Sequence, residues 1–136
     1  MARTWTPDLA VGNAQIDAQH KELFLRVNRL LDAMKAGQAA TELPALLDFL
    51  GKYVVAHFNG EEALMKQFNY PNAAHHHRLH LEFLQRFQTY QTQFAAKGPA
   101  TSLLLQFQKE ATDWLVTHIS KTDKELGAFL QQKQAA

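Results

Sequence analysis

The chain contains no cysteine. That absence removes thiolate zinc sites, c-type haem attachment and disulfides in one step. It matches a reducing compartment, and a cytoplasmic setting is the expectation. Glycine and proline are scarce, with 6 and 4 copies in 136 residues. They fall in a few places, so the segments between them are long. No excess of either charge is present: 14 basic residues face 13 acidic ones, for a formal net charge of +1. A nucleic-acid or anionic-membrane partner therefore has no electrostatic footprint here. No apolar run approaches the ~18 residues that a membrane span needs. The N-terminus "MARTWTPDLAVGNAQ" has no apolar stretch of the signal-peptide kind.

What is present is a hydrophobic fraction of 46%, enough for a core without staples. One domain over residues 1–136 is expected, and a monomer. Residues 1–16 read as an arm, 17–120 as the body and 121–136 as a C-terminal segment. In the body, Leu23, Val27, Leu30, Leu31 and Met34 recur at steps of three and four, the mark of one apolar helix face. Asp17 is placed to cap this first helix and Gly37 to end it. A second stripe runs from Leu46 through Leu50, Val54, Phe58 and Met65 to Phe68, with Thr41 as its cap and Pro44 in its first turn. "NYPN" stops it, and Asn72 can cap a third helix that continues to "KGPA". A fourth carries Leu104, Phe107, Ala111, Trp114 and Leu115. No segment alternates in the manner of a strand. The expected fold is all-α: an up-down-up-down four-helix bundle with an N-terminal arm and a short C-terminal helix.

The histidines lie on the wrong face for solvent. His57 and Glu61 share the stripe of Val54, Phe58 and Met65, since residues four apart are offset by only ~40°. His76 and His80 share the face of Phe83 and Phe87, His118 follows Trp114 by four, and His20 leads into Leu23 and Phe24. A single inward histidine is most often a satisfied core residue. Several of them together with a buried carboxylate would be costly without a shared partner, because unpaired buried polar groups and charges are disfavoured. Asp123 stands five residues after His118, which on a regular helix is ~140° away. Both reach one centre only if the helix is interrupted, so an irregular turn is expected at residues 119–122, with Thr122 capping a terminal helix.

The candidate donors are then His20, His57, Glu61, His76, His80, His118 and Asp123. Seven exceed one tetrahedral zinc, and calcium or magnesium would want oxygen. Imidazole with carboxylate suits iron or manganese. Two irons need roughly twelve coordination positions. Five imidazoles, two bridging carboxylates and one shared oxo or hydroxo group leave one of them open. No Glu stands three residues before any histidine, unlike the carboxylate-rich oxygen-activating bundles. Neutral ligands favour reversible binding over oxygenation, and no nucleophile or acid–base pair is left for hydrolysis. His76 rather than its neighbours His75 and His77 has the four-residue spacing to His80.

The segments "IDAQH" (16–20), "HFNGEEALM" (57–65), "YPNAAHHHRLHLEF" (70–83) and "WLVTHISKTD" (114–123), together with Trp5, resemble the hemerythrin family in its single-domain bacteriohemerythrin form. The resemblance covers nearly the whole chain. It implies a non-haem centre of two Fe2+/Fe3+ ions that binds O2 for storage, delivery or sensing, and not an enzyme. It implies His76, His80 and His118 on one iron and His20 and His57 on the other, with Glu61, Asp123 and an oxo or hydroxo group between them. An apolar O2 pocket would map onto Phe58, Phe83, Trp114 and Leu115. The rivals are a di-iron peroxidase, a nitric oxide or peroxide detoxifier, and an iron-handling or regulatory module.

Overall fold

The computed structural model describes residues 3–135; Met1 and Ala2 of the expected arm and Ala136 of the expected C-terminal segment lie outside them. Helix α1 spans Ala14–Lys35, α2 Ala39–Gln67, α3 Ala73–Lys97 and α4 Thr101–Thr117. A wider helical turn, His118–Asp123, leads into α5, Lys124–Ala135. No strand occurs among the described residues. Consecutive helices pack on each other and α1 closes against α4, so the four long helices stand at the corners of a square with neighbours antiparallel. This is the up-down-up-down bundle.

Helix ends follow local chemistry, with three departures from the sequence expectations. The cap of α1 is Asn13, whose side chain accepts from the Ile16 N–H at 3.0 Å. Asp17 is not the cap. It lies in the first turn, and its carboxylate accepts from the Val11 N–H at 2.9 Å, tying the arm to the bundle. Helix α2 begins at Ala39, so Thr41 lies inside it and Pro44 is past its first turn. Asn72 does sit at the N-cap of α3, but its side chain makes no capping bond there; its amide reaches Glu125 instead. The α1 terminus matches expectation: Gly37 has φ 72°, and the Gln38 N–H bonds back to Ala33 O at 2.8 Å. That left-handed residue with a six-to-one bond is a Schellman ending, which glycine adopts without strain.

The antiparallel arrangement fixes where the polar residues meet. His20 is near the start of α1, His57 and Glu61 near the end of α2, His76 and His80 near the start of α3, and His118 just past α4. Alternating direction therefore brings all of them to one end of the bundle. The other end is filled by apolar side chains. There Phe107 of α4 meets Phe87, Tyr90 and Phe94 of α3 at centroid distances of 5.9, 5.0 and 6.1 Å. Leu30, Leu50 and Leu104 are buried in the same core.

The irregularity expected at 119–122 is present, but not as a break. The helix does not break and Thr122 caps nothing; residues His118–Asp123 form a π-helical turn. The Lys124 N–H bonds to Ile119 O, five residues back. Five-residue bonding stacks residues that an α-helix would splay apart, and such turns cluster at functional sites. Its effect on burial is direct. His118, Ile119 and Asp123 are all buried, and α5 continues inward with Leu126 and Leu130. One extra residue is absorbed without ending the helix or turning either apolar face outward.

The arm and α5 close the histidine-bearing end. Leu9 and Val11 are buried. Gly127 lies so close to the Val11 carbonyl that any Cβ there would collide with it. Tyr70, in the α2–α3 loop, donates to Glu125 at 3.0 Å and packs its ring on Phe129. Trp5 is half-buried under Lys21, whose ammonium lies 4.4 Å from the ring centroid.

Candidate metal centre

All seven candidate donors come together, and each is at most 5% exposed. Their atoms fall into two groups that share both carboxylates. Glu61, His76, His80, His118 and Asp123 form one; His20, His57, Glu61 and Asp123 form the other. Within each group the donor atoms lie within 4.8 Å of one another.

The carboxylates divide their oxygens between the groups. Glu61 Oε1 faces His76 Nε2 and His80 Nε2 at 3.2 and 3.1 Å. Its Oε2 faces His57 Nε2 and His20 Nε2 at 3.3 and 3.7 Å. Asp123 repeats the division: Oδ1 lies 3.1 Å from His76 Nε2 and 3.2 Å from His118 Nε2, and Oδ2 lies 3.0 Å from His20 Nε2. The π-turn makes this possible, because it holds His118 and Asp123 on one face.

These close approaches are mostly not hydrogen bonds. Both oxygens of Glu61, both of Asp123 and His80 Nε2 are buried with no hydrogen-bonding partner. A buried polar atom without a partner costs ~1–3 kcal/mol, and more when charged. Five such atoms at one spot cannot be a neutral feature of the fold. They fit divalent or trivalent cations, which would satisfy imidazole lone pairs and carboxylate oxygens together. The donor set of imidazole and carboxylate with no thiolate fits iron.

Without a cation, protons take its place. Burial disfavours charge on His20 and His76, but the close, negatively charged oxygens of Asp123 and Glu61 outweigh it and push both imidazoles up to about 9. Burial also opposes the charge of Glu61, yet the four surrounding imidazoles hold it well below the carboxylate range. Asp123 is opposed by burial and by Glu61, and is lowered by His118 and His20. His118 goes the other way, lowered by burial. The two carboxylates thus favour protons on His20 and His76, and a metal would displace such protons.

The apolar residues expected around the site wrap it unevenly. Phe58 stacks on His80, with centroids 3.8 Å apart and planes 5° off parallel. It also reaches His57 at 5.9 Å and His118 at 6.5 Å. Trp114 stacks on His118 at 4.3 Å, and Phe83 packs on Trp114 at 4.6 Å. Leu115 is buried in the adjoining core. Most of this cage therefore lies against the group with three histidines, and Phe58 extends it to the other. Behind Phe83 and Trp114 a small pocket lined by Phe87, Tyr90, Phe107 and Ala111 runs between α3 and α4. At its edge Arg86 donates to Glu110 through Nε and a terminal nitrogen, each at 2.9 Å.

His75 is exposed. His77 is half exposed but not merely solvated, since its Nδ1 lies 2.7 Å from Glu62. Sequence reasoning missed two neighbours of the donors, Gln19 and Glu62. Gln19 Oε1 lies 2.6 Å from His57 Nδ1, and Glu62 Oε2 lies 2.9 Å from His80 Nδ1. Both contacts cross between helices, so no spacing within one helix reveals them.

A helical bundle with a buried histidine–carboxylate cluster at one end defines a cation-binding protein. The comparisons narrow this class. The model of the hemerythrin HHE cation-binding domain matches residues 11–130, so the chain belongs to the hemerythrin family. It is 34% identical to the bacteriohemerythrin of Methylococcus capsulatus, covering 93% of this chain and 95% of that one. It is 31% identical to the bacteriohemerythrin of Stenotrophomonas maltophilia, covering 96% and 81%. A hemerythrin-like protein of Naegleria gruberi is 35% identical over 93% of this chain and 92% of its own. The wild-type hemerythrin crystal structure superposes with a TM-score of 0.83 at 32% identity, covering 94% of this chain and 97% of that one.

Proposed function

We propose that the chain binds O2 reversibly at a di-iron centre, as a carrier, store or sensor and not as an enzyme. His76, His80 and His118 hold one iron, His20 and His57 hold the other, and Glu61 and Asp123 bridge them. One observation carries the reading: each carboxylate offers one oxygen to each histidine group. The same division leaves unequal positions, with five donors in one group and four in the other. The four-donor position is the one with room for an exogenous ligand.

When bound, the iron pair supplies the electrons for reversible O2 binding. The protein's own part is to hold and to dry the site. Neutral imidazoles leave the centre with little anionic charge, which favours binding over oxidation of a substrate. Phe58 walls the four-donor position, and Phe83, Trp114 and Leu115 keep water from the five-donor side. Excluding water and protons slows oxidative loss of the carrier state.

Aerobic spectroscopy of the iron-loaded chain tests this. A visible band that disappears on deoxygenation and returns with air, at two irons per chain, is expected. Rapid steady-state turnover of peroxide with a reductant would overturn the carrier assignment in favour of a peroxidase. Iron that leaves readily to a chelator with no response to O2 would favour an iron-handling module.

A further inference from the structure

Two of the candidate ligands are held from behind, and by different chemistry. A neutral imidazole carries one N–H and one lone pair, and the partner of one nitrogen decides the role of the other. At His57 the rear partner is an amide oxygen, Gln19 Oε1, 2.6 Å from Nδ1. At His80 it is a carboxylate oxygen, Glu62 Oε2, 2.9 Å from Nδ1. A carboxylate accepts only, so the proton of His80 sits on Nδ1 and the lone pair of Nε2 points at the centre. The Nδ1 atoms of His20 and His76 have no hydrogen-bonding partner.

Glu62 is itself fixed. Its second oxygen, Oε1, accepts from His77 Nδ1 at 2.7 Å. His80 is 1% exposed, Glu62 28% and His77 50%. The chain thus runs from a buried ligand through an anion at the boundary to an imidazole in solvent. This gives His77 a place that its sequence position alone does not, as the clamp on the Glu62 rotamer.

Resting on the di-metal reading, we propose that Glu62 is a positioning residue: its negative charge acts through His80 to strengthen the grip of the three-histidine position on its metal. Gln19 orients His57 without charge and leaves the two-histidine position the weaker one. A carboxylate behind a metal-bound histidine raises the basicity of the ligating nitrogen, and loss of such a partner typically costs ~10–100-fold in metal affinity. The difference between a glutamate and a glutamine at the two rear positions builds asymmetry into the pair without any change in the ligands themselves.

The test is cobalt(II) titration of the metal-free chain, followed by its visible bands and by competition with a chelator. Nitrogen-15 NMR reads the His80 tautomer in the metal-free state. In E62Q the amide oxygen still accepts from Nδ1, so the tautomer stays while the charge is gone. The expected result is an unchanged tautomer and a first cobalt bound ~10–100-fold more weakly. Gln19→Glu should tighten the second cobalt and leave the first alone. A first-cobalt affinity in E62Q equal to that of the unaltered chain overturns the proposal, as does a Gln19→Glu chain whose second site is no tighter. Failure of the unaltered chain to bind two cobalt ions would instead overturn the di-metal reading, so the two failures are distinct.

Discussion

The metal-free and metal-loaded proteins should respond to pH in opposite directions between about pH 6.5 and 9. In the metal-free chain His20 and His76 are pushed up to about 9 from an ordinary 6.5. A raised imidazole contributes stability that is fully present below the unfolded value and is lost as pH rises through the folded one. At 1.36 kcal/mol per tenfold change in proton affinity, each group is worth ~3 kcal/mol. The two share Glu61 and Asp123 as partners. Their contributions are therefore not independent, and the pair together is worth on the order of 3 kcal/mol. Other groups at the site act elsewhere. Glu61 and Asp123 are held low, so their contribution is lost only as pH falls below about 4. His118 is lowered by burial and costs stability only below about 6.5. Tyr70 and Tyr90, raised by burial and by their carboxylate partners, titrate near 12.

Metal reverses the slope. Ligating imidazoles must be neutral, so binding displaces protons and strengthens as they become easier to remove. Stabilisation by a ligand grows with its affinity for the folded chain. The assay is urea unfolding at pH 6.5 and 9, with chelator and with iron(II) under anaerobic conditions. For a slope of ~2 kcal/mol per molar urea, the metal-free midpoint should fall by ~1.5 M or more. The loaded midpoint should hold or rise. A metal-free midpoint that stays level or increases toward pH 9 would refute the picture of protons on His20 and His76 standing in for cations.

Three further outcomes are expected. Glu61→Ala removes an oxygen from each donor group and should leave fewer than two irons per chain by elemental analysis, while His75→Ala, at an exposed position, should leave iron content unchanged. Phe58→Ala should cost ~3–5 kcal/mol in metal-free unfolding and speed oxidation of the O2-bound form by air, since that ring covers His80 and reaches His57; unaltered oxidation would show that the wall is elsewhere. Gly127→Ala should drive a methyl into the Val11 carbonyl and lower stability by ~1–3 kcal/mol in thermal melts, with two irons still bound if the arm only covers the site.

The bundle and the donors were legible because both are written in helical period. Leu23, Val27 and Leu30 mark a buried face by recurrence, and a histidine that falls in the same register must go where they go. Antiparallel alternation then does the rest, since His20 and His76 lie near the starts of α1 and α3, and His57 and His118 near the ends of α2 and α4. What period does not encode is which partner a side chain finds across a gap. Asp17 satisfies the rule for a cap, and so does Asn13; the bond from Val11 to Asp17 depends on the path of the arm. Thr122 satisfied the same rule at the expected break. The structure answers with a π-turn because ending the helix would leave backbone groups to satisfy, whereas widening it keeps the ladder. The bond from Lys124 to Ile119 is the trace of that choice. Glu62 is the sharpest case. Beside Glu61 in "EE" it looks like a solvated residue, for adjacent positions on a helix point ~100° apart. That same angle turns it away from the centre and toward α3, where His77 and His80 arrive one and four residues after His76. The local rule that hid Glu62 also explains why it stands behind His80 and not within the cluster.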